Sequence, residues 1–197
     1  MKVQMRFQKI LCLVTLIISA VTIVYGFAFF TGGLATVADI YDHNNDMFHA
    51  ADLYNFAQGV NNVLVALGIV FLCLVAAMYI TACQKRRNYY ITNYIVLIGT
   101  AVFMAIFAVV GIALVAATHS MFISEVDWEA FHTFNASLED PLFLHNGESQ
   151  VMFGIGYVVY VIVILNALAV VYNLIWKIKL MKGEKALLGA GLSKEVA

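Results

Sequence analysis

Charge is scarce along this chain: only 12% of its 197 residues are Asp, Glu, Lys or Arg, against 63% hydrophobic. A soluble domain carries about twice that charge share. The apolar surplus has to face something other than water. Proline occurs once, at Pro141, so little interrupts long helices. Cysteine occurs three times, as Cys12, Cys73 and Cys83, all inside or beside apolar runs. The polar loops have none, which excludes a disulfide within either of them. The absence of a CxxC pair leaves thiol redox and cysteine–zinc motifs without support. The three thiols are expected to be small buried apolar groups. Neither a G-x-x-x-x-G-K-[ST] phosphate loop nor a G-x-S-x-G elbow is present. No catalytic group is spelled out, and none is assigned.

What is present is long apolar runs. Four of them, Ile10–Phe30, Val60–Thr81, Ile91–Ala117 and Val151–Trp176, contain no Asp, Glu, Lys, Arg or His. Each meets the length of about 20 residues needed to cross a bilayer as a helix. None alternates as the strands of a membrane barrel would. The first run follows the basic stretch MKVQMRFQK but is longer than the apolar part of a signal peptide, so it is read as a retained span. The expected fold class is an all-α integral membrane protein. It is a single domain over residues 1–197: a four-helix bundle, external loops at 31–57 and 118–150, and a tail at 177–197.

Charge distribution sets the orientation. All 11 basic residues lie before the first span, in the 82–90 turn, or after the fourth span. The two remaining loops hold ten of the twelve acids and all five histidines. The positive-inside rule then places both termini in the cytoplasm and both acidic loops outside, in the plasma membrane. Small residues at Gly99, Ala101, Ala105, Ala108, Gly111, Ala113 and Ala116 suggest close packing and a central place for the third span. Gly154 and Gly156 suggest the same for the fourth. Asn166 lies deepest and is expected to find a partner across a helix interface. With no ionisable group in the spans, the sequence gives no sign of the interior charges of an ion-coupled carrier. Haem is unsupported, since no two histidines face each other from neighbouring spans.

The stretch ADIYDHNNDMFHAADLYN, residues 38–55, is the densest polar segment. On a helix, Asp39, Asp42, His43, Asp46 and His49 share one face, and the helix can run without a break into the second span. This set is the candidate metal site. Mixed imidazole and carboxylate ligands suit a divalent transition metal, with the shell completed by His119, Glu125, Asp127, Glu129 or His132. The same residues also read as a pH sensor, a docking surface, or simply a solvated acidic face. In the second loop, SEVDWEAF reads as the start of a short amphipathic helix capped by Ser124, forming a lid or a docking site. Asn135-Ala136-Ser137 has the form of a glycosylation acceptor. The tail after Gly183 is expected to be loosely ordered.

Four spans with both ends inside and two external loops is a layout similar to that of claudins and tetraspanins. The external cysteines of those families and the claudin loop signature are missing, so the chain is assigned to neither. The expected role is a non-enzymatic accessory or scaffold subunit, acting through lateral helix contacts and an acidic external face. Its partners would be the lipid bilayer and another protein or a second copy of itself; nothing points to nucleic acid. The alternative is a transport component, meaning a solute- or cation-binding subunit or an oligomeric channel. A lipid-active enzyme using loop histidines rests on residue types alone.

Overall fold

The computed structural model of the chain describes residues 2–29, 50–83, 90–137 and 150–195. Among them are five helices: α1 (Lys2–Ala28), α2 (Ala50–Cys83), α3 (Tyr90–Ser124), α4 (Trp128–Ala136) and α5 (Val151–Glu195). No strand occurs among the described residues. Four of the helices, all but α4, are long and apolar enough to cross a membrane. The all-helical, multi-span expectation therefore holds.

The helices outlast the apolar runs. α2 and α3 have 34 and 35 residues, or about 50 Å at 1.5 Å per residue, against a hydrocarbon core of about 30 Å. Much of what the sequence analysis assigned to loops is helical continuation. α2 begins at Ala50, inside the expected first loop, and α3 carries through Ser124. α5 continues to Glu195, past the Gly183 at which the sequence analysis ended the ordered part of the tail. No proline stands in its way. The glycines at 183, 189 and 191 cost about 1 kcal/mol each, and the intervening Ala, Leu, Lys and Glu are good helix formers.

Core positions recur at three- and four-residue steps. In α2 they are Ala50, Leu53, Ala57, Val60, Leu64, Gly68, Phe71, Val75, Met78 and Ala82. That near-3.5 repeat keeps one stripe facing the partner and is the packing pattern of left-handed bundles. The helices close into a ring: α1 on α2, α2 on α3, α3 on α5, and α5 back on α1. The third span is therefore one side of a ring and not its centre. Its small residues divide accordingly: Ala101, Ala108 and Gly111 turn inward, while Gly99, Ala105, Ala113 and Ala116 are exposed.

Close approach is needed at particular glycines. A Cβ on Gly68 would lie 2.8 Å from Cγ1 of Ile23, and one on Gly26 would lie 3.0 Å from Cγ2 of Val65. These two contacts set the antiparallel register of α1 on α2. A Cβ on Gly111 would strike the Tyr160 ring, and one on Gly156 the Tyr25 hydroxyl. Gly154 faces open space, so of that pair only Gly156 marks a contact.

α4 lies across the end of the bundle away from the N-terminus. Its cap is Asp127, not Ser124: the Ala130 amide donates to Asp127 Oδ1 at 3.0 Å. Ser124 ends α3, its hydroxyl donating to the Ser120 carbonyl at 2.8 Å. Phe131 is fully buried, and Trp128 Nε1 donates to the Phe122 carbonyl at 2.9 Å. The helix is anchored to the end of α3 through Trp128 and Phe122, while most of the first loop, on which a lid would rest, lies outside the described residues.

Candidate functional site

The inward stripe of α1 is largely polar. Gln4, Gln8, Thr15, Ser19 and Thr22 are all fully buried, and Cys12 nearly so. Apolar side chains fill most equivalent positions on the other three helices. In a bilayer these polar groups find no water, so each needs a partner inside the protein. Ser19 and Thr22 find theirs in their own helix, donating to the carbonyls of Leu16 and Ser19. The others reach across the bundle.

The reach is longest at the end where α1 starts, α2 stops, α3 starts and α5 leaves the apolar zone. Gln4 Nε2 donates to Asn173 Oδ1 at 2.9 Å. Gln8 Nε2 donates to Asn93 Oδ1 at 3.0 Å, crossing the ring from α1 to α3. Asn93 Nδ2 donates to Thr81 Oγ1 at 2.9 Å, and Thr81 in turn donates to the Ala77 and Met78 carbonyls. Lys177 Nζ also donates to Asn93 Oδ1. All four spans thus meet at one amide. About two turns deeper, Asn166 Nδ2 donates to Thr15 Oγ1 at 2.9 Å, the partner expected for Asn166.

Lys177 corrects two expectations. The sequence analysis placed it in the tail at 177–197, outside the bundle, and left the spans without an ionisable group. It is 1% exposed. Besides Asn93, its ammonium lies 4.7 Å from the centroid of the Tyr94 ring, within cation–π range. The Tyr94 hydroxyl is itself held by Met181 Sδ at 2.8 Å. Exposed lysine and arginine surround this buried one, with Arg6, Lys9, Lys179 and Lys182 at the same end.

The opposite half of the core is aromatic. Ring contacts run in series from Phe71 to Phe107, Tyr160, Tyr25 and Phe29, and Phe29 meets Phe153 edge-on at 5.5 Å. Phe153 stacks on His119 at 4.4 Å, and Phe122 passes the contact to Trp128 and the lid. His119 Nδ1 lies 3.2 Å from the Tyr157 hydroxyl. Some buried polar atoms have no partner among the described residues: Gln4 Oε1 and Asn173 Nδ2 at the polar end, then Thr100 Oγ1, Asn61 Oδ1, Tyr160 OH and His119 Nε2.

The proposed metal ligands Asp39, Asp42, His43, Asp46 and His49 lie outside the described residues. Of the residues considered for completing that shell, His119 is half-buried against Phe153 and Asp127 is engaged as a helix cap. Among the described residues no group of three or more His, Cys, Asp or Glu is placed to hold a metal ion. The cysteines also differ from expectation. Cys12 is buried, but Cys73 and Cys83 are exposed on the outer face of α2.

Comparison of the chain with protein-family models, with curated proteins and with solved structures finds no match.

The sequence analysis singled out Asn166 but passed over Gln4, Gln8 and Lys177. Periodicity was the signal. Gln8 is seven residues before Thr15, and Lys177 is seven after Val170, so both continue a core stripe beyond the edge of an apolar run.

Proposed function

We propose that the chain is a non-enzymatic accessory or scaffold subunit of the membrane, acting through its outer surfaces. The observation that carries this reading is the network at Asn93. Gln4 bonds to Asn173, and Gln8, Thr81 and Lys177 each bond to Asn93, linking all four spans. A bundle locked in this way presents its outward faces to other molecules. On α3 that face includes Ala105, Val109 and Ala113, where small side chains let a second helix approach. In this reading the basic end faces the cytoplasm, with both termini, and the acidic loops face outward from the plasma membrane. The test is photocrosslinking in native membranes, with a crosslinker at Val109 or Leu165 and an inward control at Val163. One stoichiometric adduct from an outward position, absent from the control, is the expected result. Only scattered lipid adducts would overturn it.

A second reading is favoured by Lys177 together with Gln4 Oε1 and Asn173 Nδ2 beside it, which have no partner among the described residues. A buried ammonium among amides with spare hydrogen-bonding capacity suits a transport component better than a scaffold. Reconstituted chain would then move a small ion or solute across liposomes, and Lys177→Met would abolish that flux. A tight membrane with the wild-type chain removes this reading and leaves the first untouched.

A further inference from the structure

On the outer side of the α1–α2 seam a groove of about 320 Å³ opens toward lipid. Its floor is Cys12, and its walls are Leu13 and Leu16 on α1 and Ala76, Tyr79 and Ile80 on α2. Ala76 is exposed, and its small side chain leaves the hollow between the bulkier Leu16 and Tyr79. The groove lies near the basic end. Arg6 and Lys9 are exposed and stand two turns and one turn before Leu13, respectively, on the same side of α1. The register set by Gly26 with Val65 and Ile23 with Gly68 brings Lys9 level with Ala82, about one turn past Tyr79. An apolar slot thus runs into the membrane directly beneath a pair of cations.

We propose that this groove holds one acyl chain of an anionic phospholipid, with the lipid phosphate bound by Arg6 and Lys9. An acyl chain in the slot gains contacts on three sides, where a smooth helix face offers one. Two basic side chains at the mouth attract a headgroup of net negative charge and discriminate against a zwitterionic one. A second copy of this chain is a poor occupant, since it would bring its own Arg6 and Lys9 against the first pair. An uncharged apolar helix would fill the slot but leave the two cations unanswered.

The test uses the full chain purified in detergent and exposed to equal amounts of phosphatidylserine and phosphatidylcholine with identical acyl chains. Retained lipid is counted by native mass spectrometry. Wild type is expected to keep one phosphatidylserine in about tenfold preference. Arg6→Gln with Lys9→Gln is expected to equalise the two lipids. Ala76→Phe, which fills the slot from an exposed position, is expected to lose both, while Val109→Phe on the outer face of α3 behaves as wild type. Thermal midpoints matching wild type certify that the variants are folded. Equal retention of both lipids by wild type, no retention at all, or full retention by Ala76→Phe would each overturn the proposal. So would a chain dimer, in place of bound lipid, that Ala76→Phe dissolves.

Discussion

Asn93 accepts from Gln8 and Lys177 and donates to Thr81, so three spans besides its own depend on one side chain. Interhelical hydrogen bonds in membranes average only about 0.6 kcal/mol, because the separated helices find other partners. Orphaning buried groups costs more, about 1–3 kcal/mol each. Asn93→Leu takes away the acceptor of Gln8 Nε2, one partner of the Lys177 ammonium and the donor to Thr81 in the same step. We expect it to lower unfolding stability in mixed micelles by about 3 kcal/mol or more. Asn93→Asp keeps an acceptor for Lys177 and should recover part of that loss. Equal losses in both variants would show that packing, and not the polar network, makes this position matter. Tyr160 is the opposite case. Its ring fills the hollow left by Gly111, yet its hydroxyl is buried without a partner among the described residues. Tyr160→Phe is therefore expected to leave the unfolding midpoint unchanged or raise it. A loss of 1 kcal/mol or more, on the scale of a lost hydrogen bond, would mean that the hydroxyl is bonded after all.

At the scale of elements, α4 is the piece with the fewest independent supports. It has nine residues, too short to be stable alone in water. It persists because Phe131 and Trp128 extend the aromatic column and because Asp127 satisfies the Ala130 amide. Asp127→Ala removes the cap at a cost of about 1 kcal/mol. Amide exchange across 128–136 should speed up by about fivefold, with α1, α2, α3 and α5 unaffected. Unchanged exchange would assign the whole of the lid's order to its aromatic contacts. The helix was legible in SEVDWEAF, but its start was not. Both Ser124 and Asp127 are good caps by residue type. The choice between them depended on whether α3 stopped before Ser124 or ran through it, which is a matter of packing at the bundle end.

For the whole molecule, the two halves of the core differ in kind, with amides and one ammonium at the basic end and stacked rings at the other. Exposed basic residues mark the first end, and the capping helix α4 marks the second. The orientation proposed from the positive-inside rule puts the amide end in the cytoplasm. In a cysteine-free background, a single cysteine placed at Ser137 should react with an impermeant maleimide on intact cells. One placed at Val3 should react only after permeabilisation. The reverse pattern would invert the map and, with it, the leaflet in which the lipid groove lies.

Four apolar runs, one proline and a segregated set of basic residues were enough to specify a four-span helical membrane protein, because the bilayer leaves a long apolar segment few other conformations. Asn166 was legible for the same reason, since an amide that deep must have a partner. The ring order, the outward turn of four of the seven small residues of α3, and the burial of Gln4, Gln8 and Lys177 were decided by tertiary packing. Hydropathy ends at the last apolar residue, whereas a core stripe continues for as long as neighbouring helices remain side by side. Lys177 is inside because α1 and α3 reach past the oily zone alongside α5 and offer it Asn93 and the Tyr94 ring.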